Sequence, residues 1–320
     1  MSKMNKDHKI SVVINVYNEE ENIADCLDSL LNQTYDRFEL VIVDDGSTDR
    51  TMEIVKKYEN KLNVQKTSTP HLGIKKARIK GVNKAGGKYI VIIDADEILE
   101  PSFLKNILKP FKDKKVGAVG GILRSVGGGW VTKAYGTLQE MFYELRKDSE
   151  NEVDWIQGGC SAYRREALEE VGGLAEDKVS ADKDISWKMK DAGWKVVLKS
   201  DAVAYHKDPQ TLRSVMKREY NIGKREYWLL KEHGGRMGWK EWSRFYPMFG
   251  LLALLFVSLF PLLIILIGLA FLCTFLAVVY LINSNIKETH FGMSFKCWLV
   301  LTAINLAWSI GFIKSFIKRN

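Results

Sequence analysis

Two aspartates one residue apart, Asp94-Ala95-Asp96, close the apolar run Lys88–Ile93. Alternate residues just past a strand can send both carboxylates towards one pocket. A hard cation such as Mn²⁺ or Mg²⁺ takes oxygen ligands, a few from protein and several from substrate phosphates. A second acidic cluster, Asp44-Asp45-Gly46-Ser47-Thr48-Asp49, follows another apolar run. There Asp45 can accept hydrogen bonds from a base or ribose, and Ser47 or Thr48 can cap the next helix, whose N-terminus favours anions. Asp182-Lys183-Asp184 opens a helical segment, where a carboxylate can serve as general base for a hydroxyl nucleophile. His206 follows a short strand and offers an imidazole, a common metal ligand.

These residues need a scaffold that brings them to one edge. Ile10–Val16 reads as a buried strand, and Asn18 can cap a helix carrying Ile23, Cys26, Leu27, Leu30 and Leu31 at helical spacing. Phe38–Val43 and Val64–Thr67 are further strands; Thr51–Tyr58 and Ile74–Ala85 are helices, the latter stopped by Gly86-Gly87. Strand and helix alternating in this way predict a parallel, doubly wound sheet. Ligands of such sheets bind beyond the carboxyl ends of the strands. Tyr17-Asn18-Glu19, Asp44-Asp45 and Asp94-Ala95-Asp96 all fall at such ends. Further on, Gly127-Gly128-Gly129-Trp130 reads as a loop and Ile156–Arg165 as strand, turn and strand around Gly158-Gly159. Ser180–Ala192 reads as a helix, with Val196–Leu198 and Ala202–Tyr205 as two short strands.

The last quarter has a different composition. Phe245–Ile286 and Cys297–Ile313 carry no charge, and about 20 apolar residues suffice for one helical crossing of a bilayer. Two or three membrane helices are expected, and Pro261 can begin one of them. Between Lys207 and Arg244 there are ten Lys/Arg against five Asp/Glu. That excess fits an amphipathic helix, Leu212–Leu230, at the surface of anionic membrane lipids on the cytoplasmic side. No nucleic-acid motif accompanies the basic stretch, so no nucleic-acid partner is expected. Lys314, Lys318 and Arg319 favour a cytoplasmic C-terminus and an even number of crossings. Four cysteines without paired spacing argue against a disulfide framework and a zinc site. The division expected is residues 1–206 catalytic, 207–244 interfacial and 245–320 transmembrane, with multi-pass insertion and the catalytic part on the cytoplasmic side.

SVVINVYNEEENIADCLDSLLNQTYDRFELVIVDDGSTDRT, IDADEIL, RREALEEVGGL, DKDISWKMKDAGWKV and DAVAYH, in this order, closely resemble family 2 glycosyltransferases over roughly residues 10–230. The resemblance implies an α/β, Rossmann-like A-type glycosyltransferase domain with a mixed central sheet, followed here by the interfacial and transmembrane helices. It places Tyr17 and Asp45 against the base of a UDP- or GDP-sugar, with Glu19 at the same donor site. Asp94 faces the ribose or diphosphate, Asp96 and His206 hold Mn²⁺ or Mg²⁺, and Asp182 is the catalytic base. Arg78 and Arg164, or its neighbour Arg165, touch phosphates. The chain departs from the pattern in three places: Asn15 stands where proline is usual, which bears on backbone stiffness; Ile79 follows Arg78 where asparagine is usual; and Ala181 precedes Asp182 where glutamate is usual.

The reaction implied is a single displacement that inverts the anomeric carbon. A carboxylate at position 182 favours a hydroxyl acceptor, on a lipid-linked glycan or another cell-envelope saccharide, over an already ionised polyprenyl phosphate. The Gln-x-x-Arg-Trp motif of processive relatives is absent from Gly223-Lys224-Arg225-Glu226-Tyr227-Trp228, which favours addition of one sugar. The alternatives are a polyprenyl-phosphate glycosyltransferase and an inactive sugar-nucleotide-binding membrane scaffold.

Overall fold

A computed structural model describes residues 10–146, 151–175, 181–234, 245, 247, 261–285 and 291–317. Eight strands form one sheet: β1 (Ile10–Val16), β2 (Phe38–Asp44), β3 (Val64–Ser68), β4 (Tyr89–Asp94), β5 (Glu97–Leu99), β6 (Val116–Val126), β7 (Ser161–Arg164) and β8 (Lys195–Lys207). Their spatial order is β3-β2-β1-β4-β7-β6-β8-β5. The first four strands in that order run parallel. β1 and β4 read as unbroken β-branched runs because both sheet faces are covered, and almost every residue in them is buried. β7 pairs antiparallel with both β4 and β6, and β5 pairs antiparallel with β8, so the sheet is mixed and the parallel rule holds for its first half.

Register makes the strand ends flush. Asn15 lies opposite Asp94, and Val16 opposite Asp44. The three polar clusters therefore do share one edge. Two local expectations change. Only Ser161–Arg164 of the segment 156–165 is a strand, the turn before it holding Cys160 at φ 54°. The two short strands after residue 195 are one continuous strand through Lys199-Ser200-Asp201.

Helices α1 (Ile23–Leu31), α2 (Thr51–Lys56), α3 (Ile74–Lys84), α4 (Phe103–Ile107), α5 (Trp130–Arg146), α6 (Arg165–Glu170) and α7 (Ala181–Asp191) follow in chain order. Ile23, Cys26, Leu27 and Leu30 of α1 enter the main core with β1, β2 and β4. Asn18 does not cap α1, whose N-cap is Asn22. Its side-chain oxygen instead accepts the Thr48 N–H at 2.8 Å, which ties the loop after β1 to the loop after β2. Ser47 and Thr48 do not cap α2 either: Asp49 accepts the Thr51 N–H. Gly81 lets α3 lie directly on β1 and β2, because a Cβ there would meet Val13 and Val43 side chains at 2.5 and 2.8 Å. That contact brings Arg78, one turn earlier, over the end of β4.

The chain forms two compact units. One comprises Met1–Arg124, Arg146–Asp177 and Ala181–Lys207; the other comprises Ser125–Leu145, Lys178–Ser180 and Asp208–Asn320. The second unit contains α8 (Leu212–Glu232), α9 (Pro261–Asn285) and α10 (Phe291–Ile317), together with α5. Thr211 and Ser214 form a capping box at the start of α8. The apolar side of α8 is covered by α10: a Cβ at Gly223 would strike the Trp308 backbone, and one at Gly311 the Tyr220 backbone. Two glycines thus let the helices touch backbone to backbone. Ser125 and Arg218 both donate to the buried Asp208 carboxylate, and Tyr135 donates to Glu219, so these two buried carboxylates are partnered.

Among the described residues one helix is long and apolar enough to cross a membrane, Gly292–Ile317, and Ile267–Ile282 of α9 is a shorter apolar stretch. α9 does begin at Pro261. Its Leu269, Leu272, Leu276 and Tyr280 are exposed on one side. Residues 235–244 and 248–260, to which the sequence assigns the end of the interfacial segment and the first apolar run, lie outside the described residues.

Candidate active site

The acidic pair at the end of β4 splits into two roles. Arg78 Nη2 donates to Asp94 Oδ1 at 2.5 Å. Asp96 turns the other way, its Oδ2 lying 3.1 Å from His206 Nε2. The antiparallel pairing of β5 with β8 sets Glu97 opposite His206, and that pairing is what carries the histidine to the aspartate. Lys207 then donates to Asn22 at 2.8 Å, fastening the end of β8 to the start of α1.

The electrostatics of this edge are one-sided. Glu97 is fully buried, and neither of its carboxylate oxygens has a hydrogen-bond partner among the described residues. Burial pushes its carboxyl well up, and Asp94 adds to the rise while His206 opposes it. Glu19 is raised too, by burial first and also by Asp96 and Asp94, against the hydrogen bond from Asn22. Arg78 stays charged despite burial because Asp94 and Asp182 outweigh the lost hydration. Five carboxylates (Glu19, Asp94, Asp96, Glu97 and Asp182) thus share this edge with one arginine and one histidine. No three His, Cys, Asp or Glu among the described residues form a complete cage for an ion. The donors present, Asp96 and His206 with an orphaned carboxylate beside them, fit a hard divalent cation that draws its remaining oxygens from a substrate.

Asp182 enters from α7. Asp182 Oδ1 and Arg78 Nη1 both crowd Gly158, and Glu97 Oε1 and Asp94 Oδ2 both crowd Gly159, so a side chain at either position would displace these charged groups. The triplet of charges that opens α7 is thereby sorted. Asp184 is buried and paired with Lys188 at 2.9 Å, Lys183 lies over the Trp155 ring at 5.0 Å, and Asp182 is the one that reaches the site. Gly159→Ala is expected to push the Asp94 and Glu97 carboxylates aside and cut donor turnover by about 5- to 150-fold while the chain still folds, the equivalent of about 1–3 kcal/mol of misplacement. Circular dichroism and a melting curve alongside the activity measurement separate the two effects.

Asp45 anchors the other end of the edge. Its Oδ1 accepts from Thr69 Oγ1 at 2.5 Å and from the Leu72 N–H at 2.7 Å, and its Oδ2 accepts from the Gly73 N–H at 2.8 Å. Burial acts to raise this carboxyl, but the three hydrogen bonds and His71 together hold it below the ordinary carboxylate range. Tyr17 is 43% exposed at the mouth, its ring centroid 4.2 Å from that of His71.

Tyr17, Glu19, Asp45, Arg78, Asp94, Asp96, Asp182 and His206 therefore all belong to this edge. Arg164 does not. β7 runs antiparallel to β4 and sets Arg164 beside Tyr89, at the far end from Asp94. Its guanidinium donates to the carbonyls of Val116, Phe111 and Asp113, and Arg165 similarly donates to those of Gly87 and Ala85. Both are structural clamps, not phosphate contacts. Glu97, His71 and the glycine pair were not picked out as site residues. For Glu97 the signal was present, a carboxylate inside the apolar strand of IDADEIL; for His71 there was none. The Asn15 amide is buried level with Asp94, with neither nitrogen nor oxygen hydrogen-bonded among the described residues. Burial pushes the thiols of Cys26 and Cys160 well up, which leaves them inert.

The fold is shared with known proteins. A mannosyltransferase, PcManGT from Pyrobaculum calidifontis, solved with GDP-Man and Mn²⁺, superposes over 98% of this chain and 88% of its own, with TM-score 0.66 and 20% identity. S. aureus TarS 1-349 in complex with UDP-GlcNAc matches 67% of this chain and 65% of its own, with TM-score 0.52 and 24% identity. Both likenesses are of fold. By sequence, the chain is 28% identical to a poly-beta-1,6-N-acetyl-D-glucosamine synthase of Staphylococcus aureus over 65% of this chain and 52% of that one. It is 37% identical to the uncharacterized glycosyltransferase YibD of Escherichia coli over 33% of this chain and 31% of that one. The chain thus spans about a third to a half of these curated relatives. The sequence pattern described as Glycosyl transferase family 2 matches residues 11–172, just over half the chain, and takes in Tyr17, Asp45, Arg78, Asp94, Asp96 and both site glycines. With strand order, acidic edge and family pattern in agreement, the chain belongs to glycosyl transferase family 2.

Proposed function

We propose that this protein is a membrane-anchored, metal-dependent, inverting glycosyltransferase. In this reading it moves one sugar from a UDP- or GDP-sugar to a hydroxyl of a lipid-linked or other cell-envelope saccharide. The observation that carries the reading is the convergence of Asp94, Arg78 and Asp182 around two glycines, with the Asp96–His206 pair at the same sheet edge. Solved relatives of this fold bind UDP-GlcNAc, or GDP-Man with Mn²⁺.

Each residue has a distinct task. A carboxylate offers about four acceptor positions, and three of those on Asp45 are taken, which leaves one for a base N–H above the Tyr17 ring. Arg78 releases part of its hold on Asp94 to a donor phosphate, for which a guanidinium fork is well shaped. Asp182 takes the proton of the acceptor hydroxyl as its oxygen bonds to the anomeric carbon and the bond from that carbon to the phosphate oxygen breaks. Attack from the face opposite the leaving group inverts the centre. Asp96 and His206 would hold Mn²⁺ or Mg²⁺, whose bound charge offsets that on the nucleoside diphosphate. Transfer of a single sugar follows from the absence of the processive motif on α8. Multi-pass insertion by α9 and α10, with the catalytic unit cytoplasmic, completes the proposal and rests on their apolar composition and on the flanking basic residues.

The test is a screen of UDP- and GDP-sugars with Mn²⁺ or Mg²⁺, with membrane lipid extract as acceptor and mass spectrometry as readout. The expected result is one product heavier by a single sugar, lost on adding chelator. Consumption of no donor under any combination would overturn the reading.

A further inference from the structure

His71 has no place in the mechanism above, yet it touches both groups assigned to the donor base. Its ring lies on Tyr17, centroid to centroid 4.2 Å and tilted by 33°. Its Nδ1 stands 3.3 Å from the Asp45 backbone carbonyl and 3.6 Å from Asp45 Oδ2, the carboxylate oxygen with an acceptor position to spare. An aromatic face and a nearby N–H acceptor are the two features by which a protein reads a nucleobase. In the free protein one imidazole covers both.

The surroundings say which part of His71 can move. The backbone on either side is pinned: the Thr69 N–H donates to Asp44, and the Leu72 and Gly73 N–H groups donate to the Asp45 carboxylate. Gly46, at φ 83°, packs closely under the His71 backbone nitrogen. His71 itself sits at φ 49°, a left-handed conformation uncommon outside glycine, held by these contacts. The side chain, by contrast, is 60% exposed. A rotation about its own bonds clears Tyr17 and Asp45 while the loop stays in place.

We infer that His71 is an internal stand-in for the donor base: its imidazole occupies the Tyr17 face and the open side of Asp45, and a nucleoside diphosphate binds by displacing it. This rests on the reading of Tyr17 and Asp45 as the base site. His71 then sets donor affinity, because the observed dissociation constant is the intrinsic one divided by the fraction of molecules whose ring has swung away. An aromatic contact of this kind corresponds to a population bias of about three- to tenfold.

The test measures binding of UDP and GDP, each with Mn²⁺, to the full-length chain in detergent by calorimetry. His71→Gly removes the ring and suits the left-handed backbone. It is expected to tighten the nucleotide that binds by about three- to tenfold. Any loosening of the loop by glycine would weaken binding, so tightening cannot come from that source. His71→Phe keeps a ring on Tyr17 and is expected to bind within about twofold of the parent protein. Inorganic pyrophosphate, which has no base, is expected to bind equally to all three. Unchanged or weaker nucleotide binding by His71→Gly would overturn the inference, as would equal tightening by His71→Phe or tightening that extends to pyrophosphate. Failure of parent and variants alike to bind either nucleotide would instead overturn the base-site reading beneath it.

Discussion

Asp182→Asn is expected to lower transfer to a hydroxyl acceptor by about 10²–10⁴-fold, the range for loss of a general base. That corresponds to roughly 3–5 kcal/mol of transition-state stabilisation. Asparagine keeps the size of the side chain above Gly158, so the packing there is preserved. What it loses is the ability to take a proton. The effect should therefore fall on kcat, with donor affinity changed by less than about threefold. This split also separates the two kinds of acceptor. A hydroxyl must shed its proton as it attacks, whereas a phosphate monoester is already ionised at neutral pH and needs no base. Asp182→Asn that retains more than about a third of the parent rate would point to an ionised lipid phosphate and away from the acceptor proposed above. Single-turnover measurements with saturating donor, together with a separate donor-binding titration, decide between these outcomes.

The aspartates could be read because they lie next to strands whose sequence is unambiguous. Ile10–Val16, Phe38–Val43 and Lys88–Ile93 are apolar runs too short for helices and too β-branched to be anything but buried strands. Parallel pairing then makes their ends flush with no further information. What could not be read is whatever depends on partners distant in the chain. Glu97 meets His206 only because β5 pairs with β8, and no local pattern specifies that register. Arg164 shows the same limit in reverse. Its residue type suits a phosphate, but the antiparallel direction of β7 decides which end of β4 it lies beside, and strand direction is not written in four residues. Asn18 was misplaced for a subtler reason. As a helix cap its short amide is a sound choice, yet the loop between β1 and α1 is longer than that role allows, and Thr48 lies within reach instead. His71 gave no signal because its importance lies in a ring contact across the two loops. Roles set by neighbours in sequence were legible, then, and roles set by the packing of one loop on another were not.

The other large effect is expected from Asp96. If Asp96 and His206 form a plain ion pair, replacing the aspartate by asparagine removes about 1 kcal/mol at most and leaves metal affinity unchanged, because the pair is partly open to water. If they are the protein's ligands to a divalent ion, Asp96→Asn is expected to weaken Mn²⁺ binding by at least about 100-fold, since loss of an outer partner alone costs 10–100-fold. Electron paramagnetic resonance of free Mn²⁺, with UDP present, reads this without any turnover. The neighbouring carboxylates provide the control. Asp94→Asn leaves Asp96 and His206 in place and releases Arg78, so its main effect should be on donor affinity. Glu97→Gln removes the buried, unpartnered carboxylate while keeping its shape. The order of Mn²⁺ affinities is therefore the discriminating quantity: parent first, Asp94→Asn close behind, Glu97→Gln weaker, Asp96→Asn weakest. An apolar site would bury a lone carboxylate only at a cost, and five at one edge with two cations to balance them would repel one another. A divalent ion would relieve that repulsion, and the ranking follows from the partners of each carboxylate: Asp96 with His206 as the assigned ligands, Glu97 unpartnered beside them, Asp94 held by Arg78. Equal Mn²⁺ affinity across all four proteins would leave the crowding of carboxylates without that relief and would remove the metal from the proposal.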